Sequence, residues 1–411
     1  MVDYNLFTLP NGIRVVHKQV PSTKIVHCGF VLDIGSRDER EDQLGIAHFW
    51  EHMAFKGTKK RKAFHILNKL DSVGGELNAY TTKEKICFYA SALDKHMESA
   101  FELLQDITFE SIFPEKQIEN EKGVILEEMS LYHDSPEDAI QDEFDNVIFK
   151  DHPLGKNILG TPSSVRSFHR SDFQDFLKAN LNTERVVFSC VGNVPLKRVQ
   201  RLAEKYFGPI PHYSAEKQRI DFGLYTPAHE VISRNITQAQ CAIGTTAYSL
   251  NDKNRLPLYM LINVLGGPGM NSRLNLALRE KYGFVYNIEA AYHPYSDTGL
   301  LAIFFGTEQK QVERSRRLID KELRLLGEKP LGTMQLHKAK EQLIGQLAMA
   351  EENNTSLMLM MGKTLLDLDK VDSLDSIFKK IRSLDSRILQ EVAQEALAED
   401  RMSSLTFLPE N

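Results

Sequence analysis

The pattern of apolar and polar positions predicts the same series of elements twice along the chain. In the first half the series is a strand over Ile25 to Ile34, a helix that contains residues 48–55, a helix over Ala63 to Val73, two alternating strands within residues 76–93, and a helix over His96 to Asp106. In the second half it is a strand over Gln240 to Tyr248, helices over Arg255 to Leu265 and Ser272 to Tyr282, strands over Val285 to Tyr292 and Gly299 to Phe305, and a helix over Val312 to Leu326. The order strand, helix, helix, strand, strand, helix therefore recurs.

A polar stretch with two prolines, residues 209–223, separates the two series and has no apolar period. A chain of 411 residues also exceeds the size of one ordinary core. We therefore predict an α+β fold with two homologous domains, residues 1–213 and 224–411. Each domain should contain a mainly antiparallel sheet covered by helices.

The first helix of the first series carries the sequence His48-Phe49-Trp50-Glu51-His52. Residues three and four apart share one helix face, so His48, Glu51 and His52 should project together. Two imidazoles one turn apart can bind one metal ion, while Glu51, beside His52, is suited to act on a water molecule. This is the H-x-x-E-H order of the inverzincins.

A catalytic zinc site needs a third protein ligand, and residues 119–132 offer four glutamates on a predicted helix. These glutamates are Glu119, Glu121, Glu127 and Glu128. Glu128 lies 76 residues after His52 (128 − 52), and it follows the sequence GVILE. The spacing and the two motifs resemble the pitrilysin and mitochondrial processing peptidase family, in particular its half-length bacterial members. The resemblance implies that Glu128 is the third ligand and that Glu121 supports the site.

The same resemblance implies substrate contacts. The stretch GGELNAYTT is similar to the family's strand that pairs with an extended peptide, which assigns Asn78 and Ala79 to substrate binding. A later stretch, GGPGMNSRLNLALREKYGFVYNI, resembles the segment in which an arginine and a tyrosine reach the substrate, here Arg279 and Tyr286.

Two acidic residues one turn apart, Asp138 and Asp142, coincide with a pair that the processing peptidases use to hold an arginine near the cleavage point. The family has Glu at the first position, so the shorter Asp138 weakens this correspondence. The resemblance implies a preference for substrates with a basic residue close to the cut.

The resemblance as a whole implies a zinc metalloendopeptidase with one Zn²⁺ per chain that hydrolyses extended or unfolded peptides. Half-length members enclose a chamber by pairing two chains, so a homodimer is expected. The second series carries Leu258, Tyr259, Met260 and Leu261 where the first carries the motif, so it should hold no metal. The alternatives are a non-catalytic structural subunit of the same fold and a module that binds peptides without cutting them.

Composition adds limits to this interpretation. Apolar residues at 42% and charged residues at 26% are typical of a soluble globular protein, and the net charge of −6 gives no reason to expect nucleic-acid binding. No run reaches the roughly 18 apolar residues of a membrane span. Four scattered cysteines without a C-x-x-C pair, and an N-terminus without a signal or transit sequence, favour the bacterial cytoplasm.

Two further segments are interpreted as structural, without a role in binding or catalysis. The basic cluster Lys56, Lys59, Lys60, Arg61 and Lys62 is predicted to be a solvated loop. The methionine-rich run with Met358, Met360 and Met361 is predicted to be a core helix.

Overall fold

A computed structural model of the protein describes residues 4–410. By their contacts these residues form two compact units. The first unit contains residues 4–129, 156–219 and 349–373, and the second contains residues 130–155, 220–348 and 374–410. No helix within residues 4–410 is long and apolar enough to cross a lipid bilayer.

The strands occur in two sets, one in each unit. In chain order they are β1 Asn5–Thr8, β2 Arg14–Gln19, β3 Ile25–Leu32, β4 Glu76–Thr81, β5 Ile86–Leu93, β6 Val186–Gly192, β7 His229–Arg234, β8 Ala239–Ala247, β9 Val285–Pro294, β10 Gly299–Thr307 and β11 Ser403–Pro409.

The α-helices of the described chain are α1 Ile46–Ala54, α2 Ala63–Asp71, α3 Met97–Phe109, α4 Glu115–Asp134, α5 Pro136–Ile148, α6 Pro162–Ser167, α7 Arg170–Asn180, α8 Leu196–Tyr206, α9 Arg255–Gly266, α10 Val312–Glu328, α11 Thr333–Glu352, α12 Asn354–Leu368, α13 Leu374–Ser383 and α14 Ser386–Ala396. A π-helical segment spans Asn275–Glu280, within the predicted helix over Ser272 to Tyr282.

The sheet of the first unit has the strand order β1-β2-β6-β3-β5-β4. Its neighbouring strands are antiparallel except for β2 and β6, which are parallel. Successive side chains point to opposite faces of a strand. On β3, Phe30 therefore packs in the main core with Phe188, whereas Val31 belongs to the cluster that contains Met358 and Met361 of α12. The prediction of a core helix in the methionine-rich run is confirmed for Met358 and Met361, whereas Met360 of the same helix is exposed.

The sheet of the second unit has the order β7-β11-β8-β10-β9, with one parallel pair, β7 and β11. On β8, Ile243 packs in the larger core of this unit and Ala242 packs with α5. On β10, Phe304 meets Phe144 of α5 edge to face, with 6.1 Å between the ring centroids. Helix α5 thus covers one face of this sheet, as α12 does in the first unit.

The predicted repeat is confirmed. The series β3, α1, α2, β4, β5, α3 recurs as β8, α9, the π-helical segment, β9, β10, α10, and each unit is a mainly antiparallel α+β unit. The contact-defined units are not the two halves of the sequence, since α5 belongs to the second unit and α12 to the first. The predicted domain ranges, 1–213 and 224–411, stay predictions, and their ends at residues 1–3 and 411 lie outside the described chain.

A buried cluster of charges fixes part of the predicted linker to the first unit. Arg219 pairs with Asp33 at 2.9 Å and with Asp38 at 2.8 Å, and Lys217 pairs with Asp38 at 3.0 Å. Arg185 also pairs with Asp33. Burial raises the pKa of Asp33, but Lys217, Arg219 and Arg185 outweigh burial, so the pKa of Asp33 lies well below its ordinary value. Asp33 is therefore ionised at neutral pH, and the cations depend on it.

We expect Asp33→Asn to lower the free energy of unfolding at pH 7 by about 3 kcal/mol, because it leaves buried cations partly unpaired. The folded pKa lies below the unfolded value of about 3.9, so the contribution of Asp33 is fully present above that value and is lost as the pH falls. Urea unfolding at pH 7 and in acid should show the difference between wild type and variant shrinking in acid. Asp42→Asn is the control, since its side chain is 69% exposed. Equal effects of both substitutions would contradict the role of Asp33.

Candidate metal centre

The start of helix α1 is set by a glycine turn and a buried carboxylate. Gly45 has a φ of 92°, in the left-handed region, and an added Cβ would lie 2.4 Å from the carbonyl oxygen of Leu159. Glu39 accepts hydrogen bonds from the backbone N–H groups of Gly45 and Ala47, each at 2.8 Å. Burial raises the pKa of Glu39 well above its ordinary value, and the hydrogen bonds from Gly45 and Ala47 oppose this rise. The register of the helix, and hence the direction of its side chains, follows from these contacts.

One face of α1 is apolar and packs against the sheet, and the polar side chains lie on the other face of the helix. Phe49, Trp50 and Met53 are fully buried, with the Trp50 ring 5.6 Å from the ring of Phe88 on β5. His48 and His52 lie one turn apart on the other face, and their ring centroids are 4.6 Å apart.

The carboxylate of Glu128, on α4, faces both imidazoles. Its oxygens lie 3.7 Å from Nε2 of His48 and 3.5 Å from Nε2 of His52. One ligand atom from each of the three residues lies within 4.8 Å of the others. Within residues 4–410 this is the group of three His, Cys, Asp or Glu side chains that lie close enough together to bind one metal ion. Two imidazoles and one carboxylate are a ligand set that zinc accepts. The chain's own geometry thus fits the metal that the sequence predicts.

Glu121 orients one of the two imidazoles. Its Oε1 lies 2.9 Å from Nδ1 of His52, and its Oε2 lies 2.6 Å from Nζ of Lys56. With Nδ1 donating to this carboxylate, the Nε2 of His52 keeps its lone pair on the side of Glu128. The Nδ1 of His48 is buried and has no hydrogen-bond partner among the described residues, so packing holds this ring.

The electrostatics suit metal binding. Burial, followed by repulsion from His52, lowers the pKa of His48 to about 3, so its imidazole is neutral at physiological pH. Neutral imidazole is the form that binds a metal ion. Burial raises the pKa of Glu128, and the attraction of His52 opposes this rise. Burial also raises the pKa of Glu121, but the hydrogen bonds from His52 and Lys56 outweigh it and the net pKa is lowered.

Glu51 does not belong to the group of three candidate ligands, but it lies close enough to His52 and Glu128 for their charges to act on its pKa. Its Oε2 accepts a hydrogen bond from the hydroxyl of Thr81 at 2.6 Å. Burial raises the pKa of Glu51, and the bond from Thr81 offsets part of that rise. A carboxylate with a raised pKa is suited to exchange a proton.

Asn78 and Ala79 lie on β4, an edge strand of the sheet. They pair with Tyr89 and Phe88 of β5, and no other described strand pairs with β4 on its opposite side. An edge strand offers backbone groups to which an extended peptide can bind. Helix α1 also contacts this strand, so the edge and the candidate metal ligands belong to one structural unit.

The other predicted substrate residues belong to the second unit. Asp138 and Asp142 lie on α5, Arg279 lies in the π-helical segment, and Tyr286 lies on β9. Asp138 accepts a hydrogen bond from Ser135 at 2.6 Å, Arg279 donates to Glu280 at 3.0 Å, and Tyr286 is 93% exposed. Their roles toward a substrate stay predictions.

Sequence reasoning missed three residues of the centre, Glu39, Thr81 and Lys56. The prediction that the basic cluster is a solvated loop is wrong for Lys56, which pairs with Glu121, and for Arg61, which pairs with buried Asp106 at 2.6 Å. No local pattern identifies the partners of Lys56, Arg61 and Thr81, because each partner lies more than 29 residues away along the chain. Glu39 differs, since the backbone groups that it binds are close to it in sequence. The prediction holds for Lys59, whose side chain is 70% exposed.

Residues 14–162 match the protein family described as Insulinase (Peptidase family M16), and residues 167–343 match the Peptidase M16 inactive domain. The chain belongs to peptidase family M16. The predicted resemblance to pitrilysin-type peptidases is thereby confirmed at the level of the family.

Proteins with similar sequences are named as zinc proteases. The "Uncharacterized zinc protease YmxG" of Bacillus subtilis is 33% identical over 398 residues, which cover 96% of each chain. An "Uncharacterized zinc protease" of Rickettsia bellii is 31% identical over 98% of this chain and 97% of its own. These names support a zinc protease at the level of the family.

Solved structures confirm the fold. A protease from Helicobacter pylori superimposes with a TM-score of 0.92 and 20% identity, over 99% of each chain. A structure from Pseudomonas fluorescens described as a peptidase M16 inactive domain also has a TM-score of 0.92, with 16% identity, over 100% of this chain and 99% of that one. The α+β architecture is therefore that of M16 proteins.

We expect Glu121→Gln to weaken zinc binding by roughly 10- to 100-fold, because a neutral amide is a poorer acceptor for the N–H of His52. Competition with a chromophoric chelator measures this affinity without any substrate. Glu119→Gln is the matched control on the same helix, since the Glu119 side chain is 58% exposed and pairs with Lys122. If both variants bind zinc as the wild type does, Glu121 does not support the metal centre.

Proposed function

We propose that this M16 chain is a zinc metalloendopeptidase that cleaves extended or unfolded peptides. The observation that carries the proposal is the convergence of His48, His52 and Glu128, with the carboxylate of Glu51 beside them. His48, His52 and Glu128 hold one zinc ion per chain. When bound there, zinc would supply a Lewis acid that polarises a peptide carbonyl and lowers the pKa of a water molecule toward neutrality.

Glu51 is the general base and then the general acid. Its carboxylate takes a proton from the attacking water, and the resulting carboxylic acid gives that proton to the nitrogen of the leaving amine. The protons balance, because the carboxylate is regenerated when the C–N bond breaks. The partial burial that raises the pKa of Glu51 supports both steps, since it brings the two protonation states closer in free energy.

The substrate lies as an extra strand beside β4, in contact with Asn78 and Ala79. Backbone hydrogen bonds of this kind tolerate many sequences but require an extended chain, so folded proteins are poor substrates. Arg279 and Tyr286 contribute further contacts to the substrate. Two chains pair as a homodimer and enclose the centres in a chamber, as in the half-length members that the sequence resembles.

The second repeat binds no metal. Where α1 carries the motif, α9 carries Pro257 to Leu261, and within residues 4–410 no second metal-binding group is found. A structural subunit or a peptide-binding module would share the fold and would be distinguished by the absence of turnover.

We expect zinc-loaded wild type to cleave a long, unstructured basic peptide and Glu51→Gln to lose roughly 10²- to 10⁴-fold in rate. Glutamine keeps the size of the side chain and removes its ability to take a proton. Peptide cleavage followed by mass spectrometry, at equal zinc content, provides the comparison. If neither the wild type nor Glu51→Gln cleaves the peptide, the structural or peptide-binding alternatives are favoured. Equal cleavage by both would indicate a contaminant or another catalytic site.

We also expect a preference for a basic residue near the cut, because Asp138 and Asp142 present two carboxylates one turn apart. A peptide with Arg should be cleaved with a kcat/KM roughly tenfold above that of its Ala counterpart, a difference of ~1.4 kcal/mol. The double variant Asp138→Asn, Asp142→Asn should reduce this ratio, whereas Glu137→Gln, on the same helical turn, should retain it. Equal turnover of the two peptides by the wild type would refute the preference.

A further inference from the structure

The side chain of Thr81 connects the edge strand of the first sheet to Glu51. Its hydroxyl donates to Oε2 of Glu51 at 2.6 Å, a short distance that is typical of a hydrogen bond to a charged oxygen. Among the described residues this is the hydrogen bond that the Glu51 side chain accepts. Oε1 therefore keeps both of its lone pairs available for a reacting molecule, whereas Oε2 shares one with Thr81.

The direction of the Thr81 side chain follows from the alternation of β4. Leu77, Ala79 and Thr81 share one face of the strand, and Leu77 and Ala79 pack against the core to which α1 belongs. Tyr80, on the opposite face, packs in the cluster of α12. The side chain of Thr81 thus lies on the α1 side of the sheet, because residues two apart on a strand point to the same face.

Thr81 is a rigid donor. Its backbone pairs with Ile86 of β5, and its branched side chain has few rotamers. Glu51 in contrast has three rotatable bonds and only partial burial to restrict them. A base must be held close to its productive geometry to be effective, and one hydrogen bond from a fixed strand restricts the carboxylate at its far end.

We infer that Thr81 is a positioning residue that orients the carboxylate of Glu51, a role that rests on the proposed peptidase function. The strand that orients the base also carries Asn78 and Ala79, which lie three and two residues before Thr81. A peptide that adds to β4 therefore stabilises the strand that holds the base. Substrate binding uses the backbone of β4 and base orientation uses a side chain, so the two can be separated experimentally.

The test compares Thr81→Val, Thr81→Ala and Thr81→Ser with the wild type and with Glu51→Gln. Valine keeps the shape of threonine and removes the hydroxyl, alanine removes both, and serine keeps the hydroxyl. We expect Thr81→Val and Thr81→Ala to lower kcat by roughly 10- to 100-fold with little change in KM, and Thr81→Ser to restore most of kcat. Zinc content and the thermal midpoint of each variant should match the wild type.

A second measurement does not depend on turnover. The uncleaved peptide should bind to Glu51→Gln and to Glu51→Gln, Thr81→Val with equal affinity in a calorimetric titration, because the backbone of β4 is the same in both. Weaker binding to the double variant would show that Thr81 acts in docking and would overturn the inference.

Three kinetic outcomes would also overturn it. These are a kcat of Thr81→Val equal to that of wild type, a loss in Thr81→Ser as large as in Thr81→Val, and a change confined to KM. In each of these cases the proposed function still holds if the wild type cleaves the peptide and Glu51→Gln does not. Equal activity of wild type and Glu51→Gln, or silence of the zinc-loaded wild type, would instead refute the proposed function and the positioning role with it.

Discussion

The candidate centre depends on the packing of helix α1 against the first sheet. Phe49, Trp50 and Met53 are fully buried on one face of this helix. Because an α-helix turns 100° per residue, burying that face directs His48, Glu51 and His52 to the other. The free energy of the apolar contacts thus fixes the direction of polar side chains that would otherwise be solvated. A loss of packing at Trp50 would move the ligands without touching any of them.

Burying a carboxyl group is costly, and three of the carboxyl groups around the candidate centre have specific hydrogen-bond partners. The carboxylate of Glu39 accepts from two backbone N–H groups at the start of α1, and that of Glu121 is shared between His52 and Lys56. Glu51 has the hydroxyl of Thr81. Such partners hold the side chains in one arrangement before a metal or a substrate is bound, which is the preorganisation that catalysis at a metal centre needs.

The two units share one architecture but differ in the side chains that corresponding helices carry. Each has a central strand, β3 or β8, whose alternating residues pack on helices at two faces of a sheet. Each sheet is covered on one face by a helix from the other half of the sequence, α12 in the first unit and α5 in the second. The helices α1 and α9 occupy corresponding places in the repeat, yet α9 is apolar where α1 carries its histidines. Both helices need the apolar face for packing, and of the two only α1 carries histidines on its other face.

The sequence by itself determined the elements, their repeated order and the metal motif, because these depend on local periodicity and on ligands one helical turn apart. Glu128 was found through its spacing and family resemblance, and the structure places it opposite both imidazoles. Only the tertiary structure decided that Thr81 bonds Glu51, that Lys56 pairs with Glu121 and that α5 and α12 each join the unit of the other half. These contacts join residues far apart in the chain, and no local pattern encodes which partner a threonine, a lysine or an amphipathic helix meets once the chain has folded.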